Sequence, residues 1–235
     1  MPTLNDLAPK LKDLFDAERT ARRIHAELAR ADKGVVVPLL RQEIDAALAL
    51  APKPRSGGGA EAPSSDAAES AMRLVRIAGL LGEMEGPAAV DALIDVLACD
   101  EPEARHAAGE SLEDLAFDRF KEVALGIERA LERLPVGSPA LSELPYLLAE
   151  VPEPGASKLL AGFLKHKDPE AVAAAIEAIV EIGDPAAMSL LAPLEKDARQ
   201  VQLDEDEGEN SAVSIGDLAT EARQLLADLG AKGER

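Results

Sequence analysis

Aromatic side chains are almost missing from this chain: no Trp, one Tyr and four Phe among 235 residues. A core must therefore be assembled from Leu, Ala, Val and Ile. Good helix formers abound and strand-favouring aromatics are scarce, so no sheet is expected. The single cysteine, Cys99, excludes an internal disulfide framework and suits a reducing compartment. No run of about 18 apolar residues is present, which excludes a membrane-spanning helix. The start Met1-Pro2-Thr3-Leu4-Asn5-Asp6 lacks the basic and apolar regions of a secretory signal. A cytoplasmic location follows as the expectation, and richness in Ala, Leu and Arg points to a bacterial source.

Basic charge is the other shortage. The formal net charge is −19. Residues 1–55 hold ten Lys/Arg against eight Asp/Glu, a net of +2, and the rest of the chain carries −21. Nucleic-acid binding needs a basic face that releases counterions, so neither DNA nor RNA is an expected partner. An acidic body suits a protein partner with a basic surface.

What is present is a repeat. Pro102-Glu103-Ala104-Arg105-His106-Ala107-Ala108 returns as Pro169-Glu170-Ala171-Val172-Ala173-Ala174-Ala175, a shift of 169 − 102 = 67 residues. Pro87-Ala88-Ala89-Val90 returns as Pro154-Gly155-Ala156-Ser157 at the same shift, and Pro185-Ala186-Ala187-Met188 lies 31 residues beyond. A period near 33 with helical apolar spacing predicts an all-α fold: an α-solenoid of stacked helix pairs.

Three regions are expected. Residues 1–51 form an N-terminal helical hairpin, 52–66 a flexible Pro/Gly/Ser linker, and 67–235 the solenoid, with a projecting acidic loop at 201–212. In the hairpin, Leu4, Leu7, Leu11 and Leu14 alternate spacings of three and four. Gly34 is expected to end the first helix and Pro38 to start the second. In the solenoid, helices are expected at about 67–84, 87–99, 102–116, 119–134, 139–150, 154–166, 169–182, 185–197 and 214–229. Proline follows Gly86, Asp168 and Asp184 at first helical turns, with both aspartates placed to cap.

At Asp168-Pro169-Glu170-Ala171-Val172 through Ile182-Gly183-Asp184-Pro185-Ala186-Ala187 the chain resembles the bacterial HEAT-like repeat of the phycobilisome-lyase type, over roughly residues 67–230. That family includes bilin lyases, a di-iron hydroxylase, DNA glycosylases and scaffolds. The hydroxylase branch uses His-Glu pairs, whereas the histidines here read His25-Ala26, His106-Ala107 and His166-Lys167. The glycosylase branch needs a basic groove and aromatics to hold an extruded base. A lyase would hold a tetrapyrrole in the concavity.

Other chemistry finds little footing. Counted from Asp204 as an EF-hand, Gly208 falls at position 5 and Ile215 at 12, where the loop requires Gly at 6 and Glu at 12. Cys99 stands beside Asp100 and Glu101, which disfavour a thiolate, and reads as a small packing residue. No cofactor is expected. The resulting expectation is a non-enzymatic adaptor or scaffold with an acidic face; the alternative is a bilin-type lyase or cofactor chaperone. Second helices of such pairs usually line the concave side, so Asp91, Asp95, Glu122, Glu128 and Glu132, with Lys158, are the expected partner contacts. Leu4, Leu7, Leu11 and Leu14 form a second candidate surface, for docking, self-association or capping.

Overall fold

The computed structural model describes residues 4–50, 65–151, 153–204 and 210–233. It is a solenoid of stacked helix pairs carrying one β-hairpin. In chain order the helices are α1 (Leu4–Ala29), α2 (Lys33–Leu50), α3 (Ser65–Gly82), α4 (Pro87–Leu97), α5 (Pro102–Arg133), α6 (Pro139–Glu150), α7 (Gly155–Phe163) and α8 (Pro169–Ile182). A four-residue α9 (Met188–Leu191) between two 3-10 turns, strands β1 (Gln200–Asp204) and β2 (Asn210–Ser214), and α10 (Ile215–Gly233) complete it. The expected linker lies almost wholly outside the described residues.

The repeat starts where the prolines are. Pro87, Pro102, Pro139 and Pro169 each open a helix, where a missing N–H goes unnoticed. Asp168 and Asp184 cap as expected, accepting from the amides of Glu170 and Ala186 at 3.1 and 2.9 Å. Buried Asp168 also accepts from Gly137 N–H at 2.6 Å, which ties the α5–α6 turn to the start of α8. Gly183 ends α8 at φ +70°, a left-handed turn open to glycine at no steric cost.

The helices lie in two layers. First helices of the pairs (α3, the N-terminal half of α5, α6, α8 and α10) pack side by side. Second helices (α4, the C-terminal half of α5, α7 and α9) form the other layer. Leu, Ala, Val and Ile dominate one continuous core that runs from Val36 to Leu226, with Phe163 its largest fully buried side chain. Small residues let helices approach. A Cβ on Gly126 would stand 2.4 Å from Val90 Cγ1 across the α4–α5 contact.

The expected break between helices at 102–116 and 119–134 is present: α5 is two helical stretches joined across a kink at Arg119 (φ −141°, ψ 48°). The Arg119 guanidinium, 2.9 Å from Met84 O, fixes that kink against the α3–α4 turn. Three other expectations are corrected. First, the hairpin turn closes before Gly34: Asp32 caps α2, accepting from Gly34 N–H at 2.8 Å, so Pro38 falls inside the helix. Second, residues 185–197 break into short turns, with Pro193 unable to donate a helical bond. Third, the expected loop at 201–212 is largely an antiparallel hairpin that pairs Gln200 with Ser214 and Val201 with Val213, Val201 being buried.

Candidate protein-docking surfaces

The two helices of the N-terminal hairpin meet the solenoid differently. On α2, Val36, Val37, Leu40, Ile44 and Ala47 are buried and join the core beside Leu74 and Leu81. Burying each large aliphatic contributes about 1.5–3 kcal/mol relative to exposure. Among the described residues, helix α1 meets the body only through its C-terminal half. His25 Nε2 lies 2.7 Å from Glu83 Oε1, and Arg76 3.7 Å from Glu18. Both pairs join α1 to α3 or to the residue just after it with one sequence offset, so the two helices run in the same direction. Every residue from Leu7 to Ile24 is exposed. Leu7, Leu11, Leu14 and Phe15 lie bare to solvent, Leu14 at 62%. The side chain of Leu4 lies outside the described residues.

The second-helix layer holds the other expected contacts. Asp91 receives Arg129 through Nε and Nη2 at 2.8–3.1 Å. Asp95 is shared by Arg41 of α2 and Arg133 of α5. Glu122 accepts from Gly86 N–H and pairs with Arg119 at 3.3 Å. These three carboxylates are spent inside the molecule and do not present the free charge expected of them. Glu128, Glu132 and Lys158 are exposed and make no ion pair among the described residues. The structure does not gather the six into one site.

The first-helix layer carries grooves that the sequence reading missed. Between α5 and α6 a cavity of about 350 Å³ is lined by Leu97, Glu110, Glu113, Glu143, Tyr146 and Glu150, among others. Burial pushes the Glu143 carboxyl above the usual range, against the pull of Arg105 3.1 Å away. Tyr146 donates to Glu177 of α8, and burial together with that carboxylate drives its phenol well above the ordinary value. Between α8 and α10 a second cavity, about 290 Å³, has Ile176, Val180, Leu218, Ala222 and Leu225 on its floor and walls. Glu177 and Glu181 rim it from α8 and Glu221 from α10. Glu181 and Glu221 have no ion-pair partner among the described residues. A signal for this groove existed: Glu177 and Glu181 stand four apart beside Ile176 and Val180, an acidic edge on an apolar stripe.

Burial also raises the Cys99 thiol above its usual range, with its Sγ 3.7 Å from Glu101 O. That is the environment of a packing residue. Among the described residues no helix is long and apolar enough to cross a membrane.

No family model matches the chain, and no curated protein matches it. Among solved structures it is similar to two engineered proteins of the Northeast Structural Genomics Consortium. One is 17% identical over 88% of this chain and 89% of that one, at a TM-score of 0.33. The other is 18% identical over 90% and 92%, at 0.35. A designed armadillo repeat protein is 14% identical over 86% and 98%, at 0.32.

Proposed function

We propose that this chain is a non-enzymatic scaffold that docks protein segments on its acidic first-helix face, with α1 as an additional docking element. The observation that supports this most is the build of that face: apolar floors at Leu97, Leu147, Val180 and Leu225 between rows of glutamates. Apolar floor supplies affinity and rim charge supplies steering and partner choice. The partner this selects is a protein segment with apolar residues flanked by Lys or Arg, in a cytoplasmic setting. The resemblance of Asp168–Ala187 to the phycobilisome-lyase-type repeat supports a shared repeat unit. It also keeps a bilin-type lyase or cofactor chaperone as the runner-up, which pigment co-purifying with the protein would favour.

The test is affinity capture by the full-length chain from its native cell at low and at moderate salt, beside a Glu113→Lys/Glu150→Lys variant. A partner enriched by the wild-type chain, released by salt and lost from the variant is the expected result, because screening weakens exposed charge contacts. A captured set identical for variant and wild type at both salts overturns the acidic-face reading.

A further inference from the structure

Helix α1 and the α8–α10 groove are complementary in both shape class and charge. At about 100° per residue, Leu7, Leu11, Leu14 and Phe15 occupy a stripe roughly 100° wide. Lys10 and Lys12 stand on its two opposite flanks, and Asp13 and Asp16 face away from it. The groove reverses this order of charge: an apolar floor with glutamates on both walls, Glu177 and Glu181 on α8, Glu221 on α10. We infer that the N-terminal half of α1 from one copy of this chain docks in the α8–α10 groove of a second copy. This rests on the docking reading of the first-helix face and names its occupant.

Geometry and charge select a second copy. The chain's own groove is out of reach. Helix α2 is fixed in the core and α1 lies along α3, whereas α5, α6 and α8 intervene before the groove. Those spacings, at about 8–10 Å per helix, exceed the roughly 21 Å length of residues 4–17. Pairing α1 with another α1 would crowd Lys10 and Lys12 of both copies around one seam, a like-charge arrangement that costs affinity. Seating α1 between glutamates joins opposite charges and covers two exposed apolar surfaces at once. The donor and acceptor patches differ, so the contact is heterologous: it builds closed rings or open chains, not an isologous dimer.

The experiment is sedimentation velocity on the purified full-length chain across a concentration series at low and moderate salt. Two charge variants accompany it, Lys10→Glu/Lys12→Glu and Glu181→Lys/Glu221→Lys, with Leu11→Asp/Leu14→Asp as a third that removes the apolar stripe. All six positions are solvent-exposed, and the Tyr146–Glu177 contact is left intact. The wild-type chain is expected to self-associate with a salt-weakened constant. Each variant alone is expected to associate roughly tenfold or more weakly. An equimolar mixture of the two charge variants is expected to associate again, because it restores opposite charges in both pairings. A wild-type chain monomeric at every concentration overturns the inference, and the capture experiment then decides the scaffold reading separately. Association that survives Glu181→Lys/Glu221→Lys but is lost with Leu11→Asp/Leu14→Asp also overturns it, since α1 would then be docking elsewhere.

Discussion

Both layers of the solenoid carry acidic residues, some paired with arginine and some not, and the two kinds stand in different places. On the second-helix side Asp91, Asp95 and Glu122 are consumed by Arg129, Arg41, Arg133 and Arg119, and α2 is sewn onto the stack through Asp95. On the first-helix side Glu113, Glu150, Glu181 and Glu221 border apolar grooves without arginine partners among the described residues. The same contrast divides the hairpin, where α2 is bound and α1 is bare. A carboxylate with an arginine in reach builds the molecule, and one left on a groove wall is available to something else. What separates the two groups is an arginine within reach, not the acid itself.

The largest expected effect breaks the contrast within the hairpin. Ile44 is 1% exposed, and Ile44→Ala should cost about 2–5 kcal/mol through lost transfer energy and a residual cavity. Leu14→Ala, at a position with little burial to lose, should stay within about 0.5 kcal/mol. Urea denaturation of the two variants checks both. A large loss at Leu14 in the monomer would place α1 in the core and end the distinction.

Next comes the seam that the second-helix layer closes most tightly. Gly126→Ala sets a methyl against Val90, which has little room to yield, and overpacking of this kind costs about 1–3 kcal/mol. The melting temperature should fall with no change in helical content by circular dichroism. A neutral result would mean that α4 and α5 are not held as closely as the second-layer ion pairs imply.

Smaller again is the charge contrast itself. Asp95→Ala strips Arg41 and Arg133 of their shared partner, and a partly exposed network of this kind contributes about 1 kcal/mol. Glu181→Ala should leave stability within about 0.5 kcal/mol. Equal losses from both would show that the groove glutamates also serve the fold.

Much of this architecture was legible in the sequence, and the reasons are local. Proline and aspartate at helix starts act within one turn, so Pro139–Glu150 and Pro169–Ile182 were placed to the residue. The β-hairpin was not, because the acidic run at 204–209 masked the alternation around Val201 and Val213. The proposed docking surface differs from the expected one for a long-range reason. Asp91 and Asp95 looked like free acids because their arginines stand 38 residues away. Yet Arg129 and Arg133 repeat the four-residue spacing of the aspartates, a ladder that could have been read. Which grooves are edged by unpaired glutamates depends on how adjacent helices splay, and one chain's periodicity does not encode that.

The smallest expected effect concerns two carboxylates whose pH dependences oppose each other. Asp197 is held below the usual carboxylate range by hydrogen bonds from Arg199, whose Nη1 also donates to His166 O at 2.8 Å. Its folded form releases a proton more readily than its unfolded form. The stabilisation is therefore complete above the ordinary carboxylate pKa and is lost as pH falls through the depressed value. Glu143 in the α5–α6 groove is shifted the other way by burial. Its folded form holds the proton more tightly, so stability declines as pH rises from the ordinary carboxylate pKa through the elevated one. Arg199→Gln should flatten the acid limb of a plot of urea midpoint against pH, and Glu143→Gln should remove the shallow decline above it. If both variants moved the curve in the same direction, Glu143 would be a structural carboxylate like Asp197. The α5–α6 groove would then be tied down as firmly as the turn that holds Asp197.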